Sequence, residues 1–260
     1  MQPKNSLTSD TAKPINWFWF AAPSRFYFLA KLIIPYCWAI CFILGIGGLV
    51  MGLLYAPTDA TQGDAYRIIF IHVPAAWMSM VLYCAMAMWG AIGMIFNARL
   101  AYRISNSIAM TGAMMTFIAL WTGALWGKPT WGAWWVWDAR LTSELILLFL
   151  YVGYLSLYSA IDEPRKAAKA ASLVAIIGVV NVPIIYFSVK WWNTLHQGAS
   201  ITLNKTSMDP RMLAAMLIMT FAFWAYAFAI ILTRVNYQTL DEDAHSDWVQ
   251  EELSHLRSKS

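Results

Sequence analysis

Six long apolar runs constrain this chain more than any other feature of its sequence. In chain order they are residues 32–56, 73–96, 105–126, 141–161, 170–189 and 212–232. Each is close to the roughly 20 residues that an α-helix needs to cross the ~30 Å hydrocarbon core of a bilayer. Only 12% of the 260 residues are charged, whereas soluble domains average about 25%. The sequence therefore predicts an all-α integral membrane protein, built as a bundle of six transmembrane helices.

Three prolines predict where these helices begin and bend. Pro74 lies at the start of the second run, where a missing N–H costs little. Pro35 and Pro183 lie inside the first and fifth runs, where we expect kinks. Asn181, close to Pro183, is interpreted as satisfying that kink rather than as binding an ion.

The polar segments outside the runs divide the chain into three parts. Residues 1–31 form a cytoplasmic N-terminal part. Its aromatic stretch, residues 15–30, is too short to span the bilayer, and we expect it to lie at the membrane interface. Residues 32–232 form the six-helix domain. Residues 233–260 form a polar cytoplasmic tail that can include a short amphipathic helix.

The distribution of positive charge predicts the orientation of the bundle. Of the 18 lysines and arginines, 12 fall on the side of the N-terminus and 6 on the opposite side. Because cytoplasmic loops carry the excess of Lys and Arg, both termini are expected in the cytoplasm. The loops after the first, third and fifth crossings then face outward, which in a bacterium means the periplasm. The net charge of +4 is spread over many loops, so there is no clustered basic face for nucleic acid.

The loop after the third run is dense in tryptophan. Its four indoles, with the glycine and the carboxylate beside them, are Trp131, Gly132, Trp134, Trp135, Trp137 and Asp138. Indole is a large, flat apolar group that carries one N–H donor. Such a loop can cover a large flat ligand, or it can simply belong to the aromatic belt at a membrane surface. The aspartate also precedes the fourth run, where it can cap the helix.

Two histidines fall on the same outward face as this tryptophan loop. His72 lies just before the second helix, after one crossing, and His196 follows five crossings, so both share the face of the loop, which follows three. The other two histidines lie in the polar tail. Neutral imidazole is a common axial ligand of haem iron, and indoles supply apolar cover for a porphyrin. We therefore expect His72 and His196 to bind opposite faces of one haem, although each alone also fits an ordinary helix-start or loop residue.

Charged residues near these histidines suggest further roles. Arg67 and Arg140 are candidates for holding the haem propionates, since guanidinium matches a carboxylate bidentately. Glu144 lies one to two turns inside the fourth run, where an ionisable group is expensive. Because its i−4 neighbour is Arg140, a structural ion pair is favoured over a proton relay.

The segment 126–144 resembles the tryptophan-rich WWD signature of haem-handling proteins in cytochrome c maturation. Together with the entry to the second helix, residues 70–77, and the outward His196, it makes nearly the whole chain similar to the cytochrome c maturation protein C, or haem exporter C, family. The resemblance implies a periplasmic tryptophan-rich loop, residues 131–138, that takes part in binding haem b non-covalently and transiently. It also implies that the two outward histidines are the iron ligands.

For function, the resemblance implies haem transfer at the bacterial inner membrane. Proteins of this family hold haem at the outer face and promote its covalent transfer to a periplasmic haem chaperone, cytochrome c maturation protein E. They work, surrounded by membrane lipid, with the ATP-binding cassette transporter formed by cytochrome c maturation proteins A and B, and with the small membrane protein D of the same system. Larger relatives carry further histidines inside their helices for a second haem. No histidine lies inside an apolar run here, so haem handover is favoured over final attachment.

This hypothesis describes a haem-presenting subunit without classical enzyme activity, because its work is positioning. Three alternatives stay open at this point. A transporter or exporter subunit that moves haem across the bilayer would need polar or broken-helix features near mid-membrane. A bis-histidine electron-transfer cytochrome would keep its haem. A purely structural subunit would bind none.

Overall fold

The computed structural model describes residues 22–196 and 208–258, and every named element in these ranges is helical. The helices, in chain order, are α1 (Pro23–Val50), α2 (Ile69–Phe96), α3 (Arg99–Trp131), α4 (Ala139–Ala160), α5 (Pro164–Gly178), α6 (Asn181–Trp191), α7 (Pro210–Glu242) and α8 (Asp247–Arg257). A π-helical turn, Met51–Tyr55, continues α1, and a 3-10 turn, Asp64–Ile68, leads into α2.

Six helical segments in the described ranges are long and apolar enough to cross a membrane. They are Pro23–Tyr55, Asp64–Phe96, Arg99–Trp131, Ala139–Ala160, Pro164–Trp191 and Pro210–Glu242. Each contains most of one predicted run, so the all-α architecture with six transmembrane helices is confirmed. Most segments are longer than the runs, because a helix continues past its apolar stretch wherever its backbone hydrogen bonds still close. Consequently α1 begins inside the expected interfacial segment, of which residues 15–21 lie outside the described residues, and α7 extends into the expected tail.

The second helix begins earlier than the sequence predicted. It starts at Ile69, directly after the 3-10 turn, so Pro74 lies inside the helix. The expectation that Pro74 opens α2 is therefore wrong. A proline at this position removes one helical hydrogen bond, the one to the carbonyl of Phe70. The same shift places His72 in the first turn of α2 rather than before it, inside the apolar helical segment Asp64–Phe96. The expectation that no histidine lies within a membrane-spanning segment is therefore wrong for His72.

The fifth crossing is made of two helices. α5 ends at Gly178 and α6 begins at Asn181, so the kink predicted at Pro183 is a break just before that proline. Pro183 then lies in the first turn of α6, where its missing N–H costs little. The side chain of Asn181 donates a hydrogen bond of 2.9 Å to the carbonyl oxygen of Ser143 in α4. This hydrogen bond therefore links the break between α5 and α6 to α4, in line with the interpretation of Asn181 as a kink residue.

Packing places α2 at the centre of the bundle and α1 at its edge. Tyr83 of α2 is fully buried and meets Tyr151 of α4 with ring centroids 4.9 Å apart. α1 leaves most of its apolar side chains exposed, as expected of a helix that faces lipid. It approaches α7 closely at Gly48, where an added Cβ would lie 2.7 Å from the sulfur of Met219. Small residues allow this kind of close helix approach in membranes.

The C-terminal segment folds back onto the start of α1. Its last helix, α8, is the short amphipathic helix that the polar tail allowed. Glu252 of α8 accepts hydrogen bonds from Tyr27, at 3.1 Å, and from Lys31. At the start of α3 the buried Arg103 donates a 2.8 Å hydrogen bond to Asp243, just after α7. Charged groups thus hold together the end of the bundle opposite the tryptophan loop.

Candidate haem-binding site

A cavity of about 400 Å³ lies beside the tryptophan loop, where α2 begins and α3 ends. Its volume falls within the range of about 300–1,000 Å³ that is typical of small-molecule sites. Five residues that the sequence predicted for the site line this cavity: His72, Trp131, Trp135, Arg140 and His196. They come from α2, α3, the tryptophan loop, α4 and the chain after α6. The fold therefore brings together side chains that are far apart in the sequence.

The two predicted histidines lie close to each other. The imidazole rings of His72 and His196 have centroids 6.4 Å apart and planes inclined at 34°. Metal–imidazole bonds are about 2 Å long. Two imidazoles that bind opposite sides of one metal ion therefore have ring centroids about 6 Å apart. The observed separation meets that requirement.

One face of α3 holds the imidazole of His72. Its Nδ1 lies 3.0 Å from the hydroxyl oxygen of Thr122. The ring packs edge-on against the indole of Trp126, with centroids 5.6 Å apart. Gly123 leaves just enough room for it, since a Cβ added there would lie 3.1 Å from Cε1 of the imidazole. The ring is therefore fixed by contacts along a single turn of α3.

The tryptophan loop presents an inner and an outer pair of indoles. Trp131 and Trp135 line the cavity, and the ring of Trp131 lies 6.4 Å from that of His196. The indole N–H of Trp135 is buried without a hydrogen-bond partner among the described residues. Such a group is a free donor for a ligand or for water. Trp134 and Trp137 are 55% and 78% exposed and do not line the cavity.

Gly132 and Asp138 shape the loop rather than line the cavity. Gly132 has a φ of +78°, the left-handed conformation that commonly ends a helix, and it terminates α3. The carboxylate of Asp138 accepts a hydrogen bond of 2.8 Å from the backbone N–H of Leu141 and so caps α4. The capping role that the sequence allowed for Asp138 is confirmed. Direct contact of either residue with a ligand stays a prediction.

The guanidinium of Arg67 is bonded to other groups of the protein. Its guanidinium donates to the carbonyl oxygens of Gly52 and Ala56, at 2.5 and 3.2 Å, and pairs with the carboxylate of Asp64 at 2.9 Å. It does not line the cavity. Carbonyl groups at the end of a helix have no partner within it, so Arg67 completes the hydrogen bonding at the end of the first span.

Arg140 and Glu144 do not form the predicted ion pair. Arg140 donates from Nη1 to the carbonyl oxygen of Ile185 in α6, at 2.8 Å. One oxygen of Glu144 accepts from the hydroxyl of Ser79 in α2, at 2.7 Å. The other is buried with no partner among the described residues. The prediction was wrong because each side chain is bonded to a different neighbouring helix, which i,i+4 spacing cannot reveal.

Known proteins match this chain over most of its length. A family model described as "Heme exporter protein C" matches residues 16–250. The chain belongs to the heme exporter protein C family. A relative of that name from Escherichia coli (strain K12) is 45% identical over 231 residues, which are 89% of this chain and 94% of the relative. Another, from Haemophilus influenzae, is 44% identical over 239 residues, with 90% and 97% covered.

A further relative comes from a plant. It is the "Putative cytochrome c biosynthesis ccmC-like mitochondrial protein" of Marchantia polymorpha, 42% identical over 207 residues, which are 79% of this chain and 86% of the relative. Membership of the heme exporter protein C family confirms the resemblance seen at the tryptophan loop. With the six apolar helices, it makes this chain a multi-pass membrane protein.

Sequence reasoning missed three residues that shape the site of this family member: Gln62, Thr122 and Trp126. Thr122 and Trp126 are four residues apart and so share a face of α3. That spacing would have identified them once His72 was known to lie against α3. Gln62 belongs to no periodic pattern. Its side-chain oxygen accepts a hydrogen bond of 2.7 Å from the indole N–H of Trp126, a contact that depends on the whole fold.

Proposed function

We propose that this protein binds haem at the periplasmic face of the bacterial inner membrane and promotes its transfer to a periplasmic haem chaperone, cytochrome c maturation protein E. Relatives named heme exporter protein C, and one named for cytochrome c biosynthesis, support the general role in haem handling. The observation that carries the proposal is the 6.4 Å separation of the His72 and His196 imidazoles at one cavity.

In this proposal His72 and His196 are the axial ligands of a haem b that the protein holds as cargo. Two neutral imidazoles suit haem iron, and their separation suits a shared metal. The three cysteines of the chain are free, and none of them lines the cavity. The chain therefore places no thiol where it would attach the macrocycle covalently, which is consistent with a haem that is passed on.

The walls of the cavity supply the remaining contacts for a porphyrin. Trp131 and Trp135 offer flat apolar surface, and the unpartnered N–H of Trp135 can donate to a carboxylate. Arg140 uses Nη1 for a carbonyl oxygen, and a guanidinium has five N–H donors in all. We assign the propionate contact to Arg140 rather than to Arg67, whose guanidinium bonds backbone carbonyls and Asp64.

The outer indoles are assigned to the partner. Trp134 and Trp137 stand exposed beside the cavity on the loop that also contributes its inner wall. Exposed tryptophans are frequent anchors of protein interfaces, so we infer that the chaperone docks on these two rings. The ATP-binding cassette proteins A and B and the small membrane protein D of the maturation system would pack against the membrane-spanning surface. The excess of Lys and Arg on the side of the termini supports a cytoplasmic location for both termini.

Handover then depends on position more than on acid–base chemistry. The protein holds the haem at the membrane surface, limits its orientation through two ligands and a wall of indoles, and leaves the reacting residue to the chaperone. Effective concentration is the main contribution that such a scaffold makes to a transfer reaction. Asp138 supports this role by fixing the loop to the first turn of α4.

Haem titration of the purified protein tests this function. Wild type, His72→Ala, His196→Ala and the double variant are titrated in detergent and then mixed with the chaperone; His245→Ala, in the tail, is the matched control. We expect one haem per chain in wild type and control, weaker binding in each single variant and none in the double variant. Equal binding with unchanged Soret and α bands in the double variant would reject the ligands. A haem that is bound but never reaches the chaperone would indicate an electron-transfer cytochrome instead.

A further inference from the structure

The hydroxyl of Thr122 connects α3 to the proposed ligand His72. It lies 3.0 Å from Nδ1 of the imidazole. The same oxygen lies 2.6 Å from the carbonyl oxygen of Ile118 and 3.3 Å from that of Ala119, both in the preceding turn of α3. Thr122 itself is buried at 8% exposure, so these contacts are made away from bulk solvent.

The protons of this contact can be assigned by counting donors. A threonine hydroxyl has one hydrogen and two acceptor lone pairs. A carbonyl oxygen can only accept, so the 2.6 Å contact to Ile118 requires the hydroxyl hydrogen. The oxygen of Thr122 then faces Nδ1 of His72 with a lone pair. Nδ1 must therefore be the protonated nitrogen of this neutral imidazole, which leaves the lone pair on Nε2.

Neighbouring residues of α3 pack closely against the same ring. Gly123 lies so close that a Cβ there would be 3.1 Å from Cε1, the atom between the two ring nitrogens. Trp126 packs edge-on against the same ring at 5.6 Å, with the two planes at 80°. The imidazole of His72 thus packs against α3, and the hydroxyl oxygen of Thr122 favours its Nδ1–H tautomer; the backbone carbonyl of Ala119 also accepts a hydrogen bond from this ring.

We propose that Thr122 is a positioning residue for haem capture, which holds His72 in the Nδ1–H tautomer so that Nε2 is the atom presented to iron. This inference rests on the proposed function, because it requires His72 to be an iron ligand. Outer hydrogen bonds of this kind orient ligand histidines and raise their basicity, and their loss typically costs about 10- to 100-fold in metal affinity. Thr122 itself touches neither the haem nor the chaperone in this account.

Two substitutions separate the hydrogen bond from simple packing. Thr122→Val keeps the shape of the side chain and removes the hydroxyl, whereas Thr122→Ser keeps the hydroxyl and removes a methyl group. We expect the valine variant to bind haem about 10-fold more weakly, with a shifted ferric/ferrous midpoint potential, and the serine variant to stay close to wild type in both. A serine variant as impaired as the valine variant would show that packing alone matters, and would overturn the proposal.

A haem-free measurement tests the tautomer directly. The ¹⁵N chemical shifts of the imidazole nitrogens distinguish Nδ1–H from Nε2–H, and the chain has only four histidines, so His72→Ala identifies the signal. We expect His72 of the wild-type protein to show the Nδ1–H pattern and the valine variant to show a mixture. An Nε2–H pattern in wild type would overturn the inference without any variant having to fold.

The outcomes also distinguish this inference from the function beneath it. If His72→Ala leaves haem binding unchanged, His72 is not an iron ligand and the proposed function is wrong on that point. If His72→Ala loses haem while Thr122→Val matches wild type in affinity, potential and ¹⁵N shifts, the function stands and the role of Thr122 is wrong.

Discussion

The side-chain oxygen of Gln62 accepts a hydrogen bond of 2.7 Å from the indole N–H of Trp126. Gln62 lies in the loop between the first and second spans, and Trp126 lies near the end of α3. The same indole packs against His72 on one side and Tyr66 on another, each at 5.6 Å between centroids. The loop between the first two spans is thereby attached to the wall that holds the first proposed ligand.

A double-mutant cycle on this contact tests its importance. Gln62→Leu leaves the partly buried indole N–H of Trp126 without its partner, which costs less than the roughly 1–3 kcal/mol of a fully buried unsatisfied donor. We expect the variant to lose haem several-fold faster than wild type, since the wall beside His72 is loosened. Trp126→Phe removes the donor itself. In that background, Gln62→Leu should have almost no further effect on the rate of haem dissociation. Purely additive effects on haem dissociation would contradict a direct coupling between the two side chains.

The division of the tryptophan loop predicts two separable phenotypes. Trp135→Ala removes a cavity wall, so we expect weaker haem binding in a titration followed at the Soret band. Trp137→Ala removes the most exposed indole of the loop, at 78% exposure, so we expect unchanged haem affinity and slower loading of the chaperone. Haem titration and a loading assay on both variants check this. Equal losses of haem affinity in the two variants would contradict the assignment of inner and outer indoles.

Asp138 offers a stability test that does not involve haem. Its carboxylate caps α4 through the N–H of Leu141, and replacing such a cap by alanine costs about 0.5–2 kcal/mol. Asn is as good an N-cap as Asp. Asp138→Ala should therefore lower the midpoint of thermal unfolding in detergent, whereas Asp138→Asn should unfold at a midpoint close to that of wild type. An asparagine variant as unstable as the alanine variant would show that the charge, rather than the cap, is what the fold needs.

The opposite end of the bundle predicts a pH dependence of stability. The hydrogen bond from the Arg103 guanidinium holds the pKa of the Asp243 carboxyl below its ordinary value of 3.8, and the charges of Arg103 and Arg99 add to this effect. A carboxyl whose pKa is lowered by folding contributes stability that is complete above its unfolded pKa and is lost as the pH falls through the folded one. The contribution of Asp243 should therefore be full at neutral pH and be lost progressively as the pH falls below about 4.

Thermal unfolding at neutral and acidic pH measures this contribution. Asp243→Asn should be less stable than wild type at pH 7, and the difference should shrink as the pH falls to about 3. Asp241→Asn, an exposed neighbour, is the matched control and should follow wild type throughout. A difference between Asp243→Asn and wild type that persists unchanged at low pH would mean that the ion pair is not its source.

Much of the fold follows from hydrophobicity alone. Six apolar runs of helical length predict six spans, and an odd number of crossings predicts that His72, His196 and the tryptophan loop share one end of the bundle. These inferences succeed because bilayer thickness and connectivity constrain a membrane chain more tightly than local preferences do. The capping position of Asp138 is equally local and was also accessible from the sequence.

Other features depend on contacts between distant segments. Nothing in the spacing around Arg67 indicates that its guanidinium would be taken up by carbonyl groups of Gly52 and Ala56. The i,i+4 spacing of Arg140 and Glu144 pointed to a pair, yet each is bonded to another helix. Polar groups inside a membrane bundle must be satisfied by whatever lies across the interface, and the sequence does not give those neighbours.

The ferric electron paramagnetic resonance spectrum of the haem-loaded protein tests the central claim most directly. Two imidazoles on one iron predict a six-coordinate low-spin signal in wild type and in His245→Ala. Removal of either His72 or His196 should convert it to a high-spin signal, because one axial ligand is then missing. A low-spin signal that persists unchanged in both single variants would show that these two residues do not share the iron.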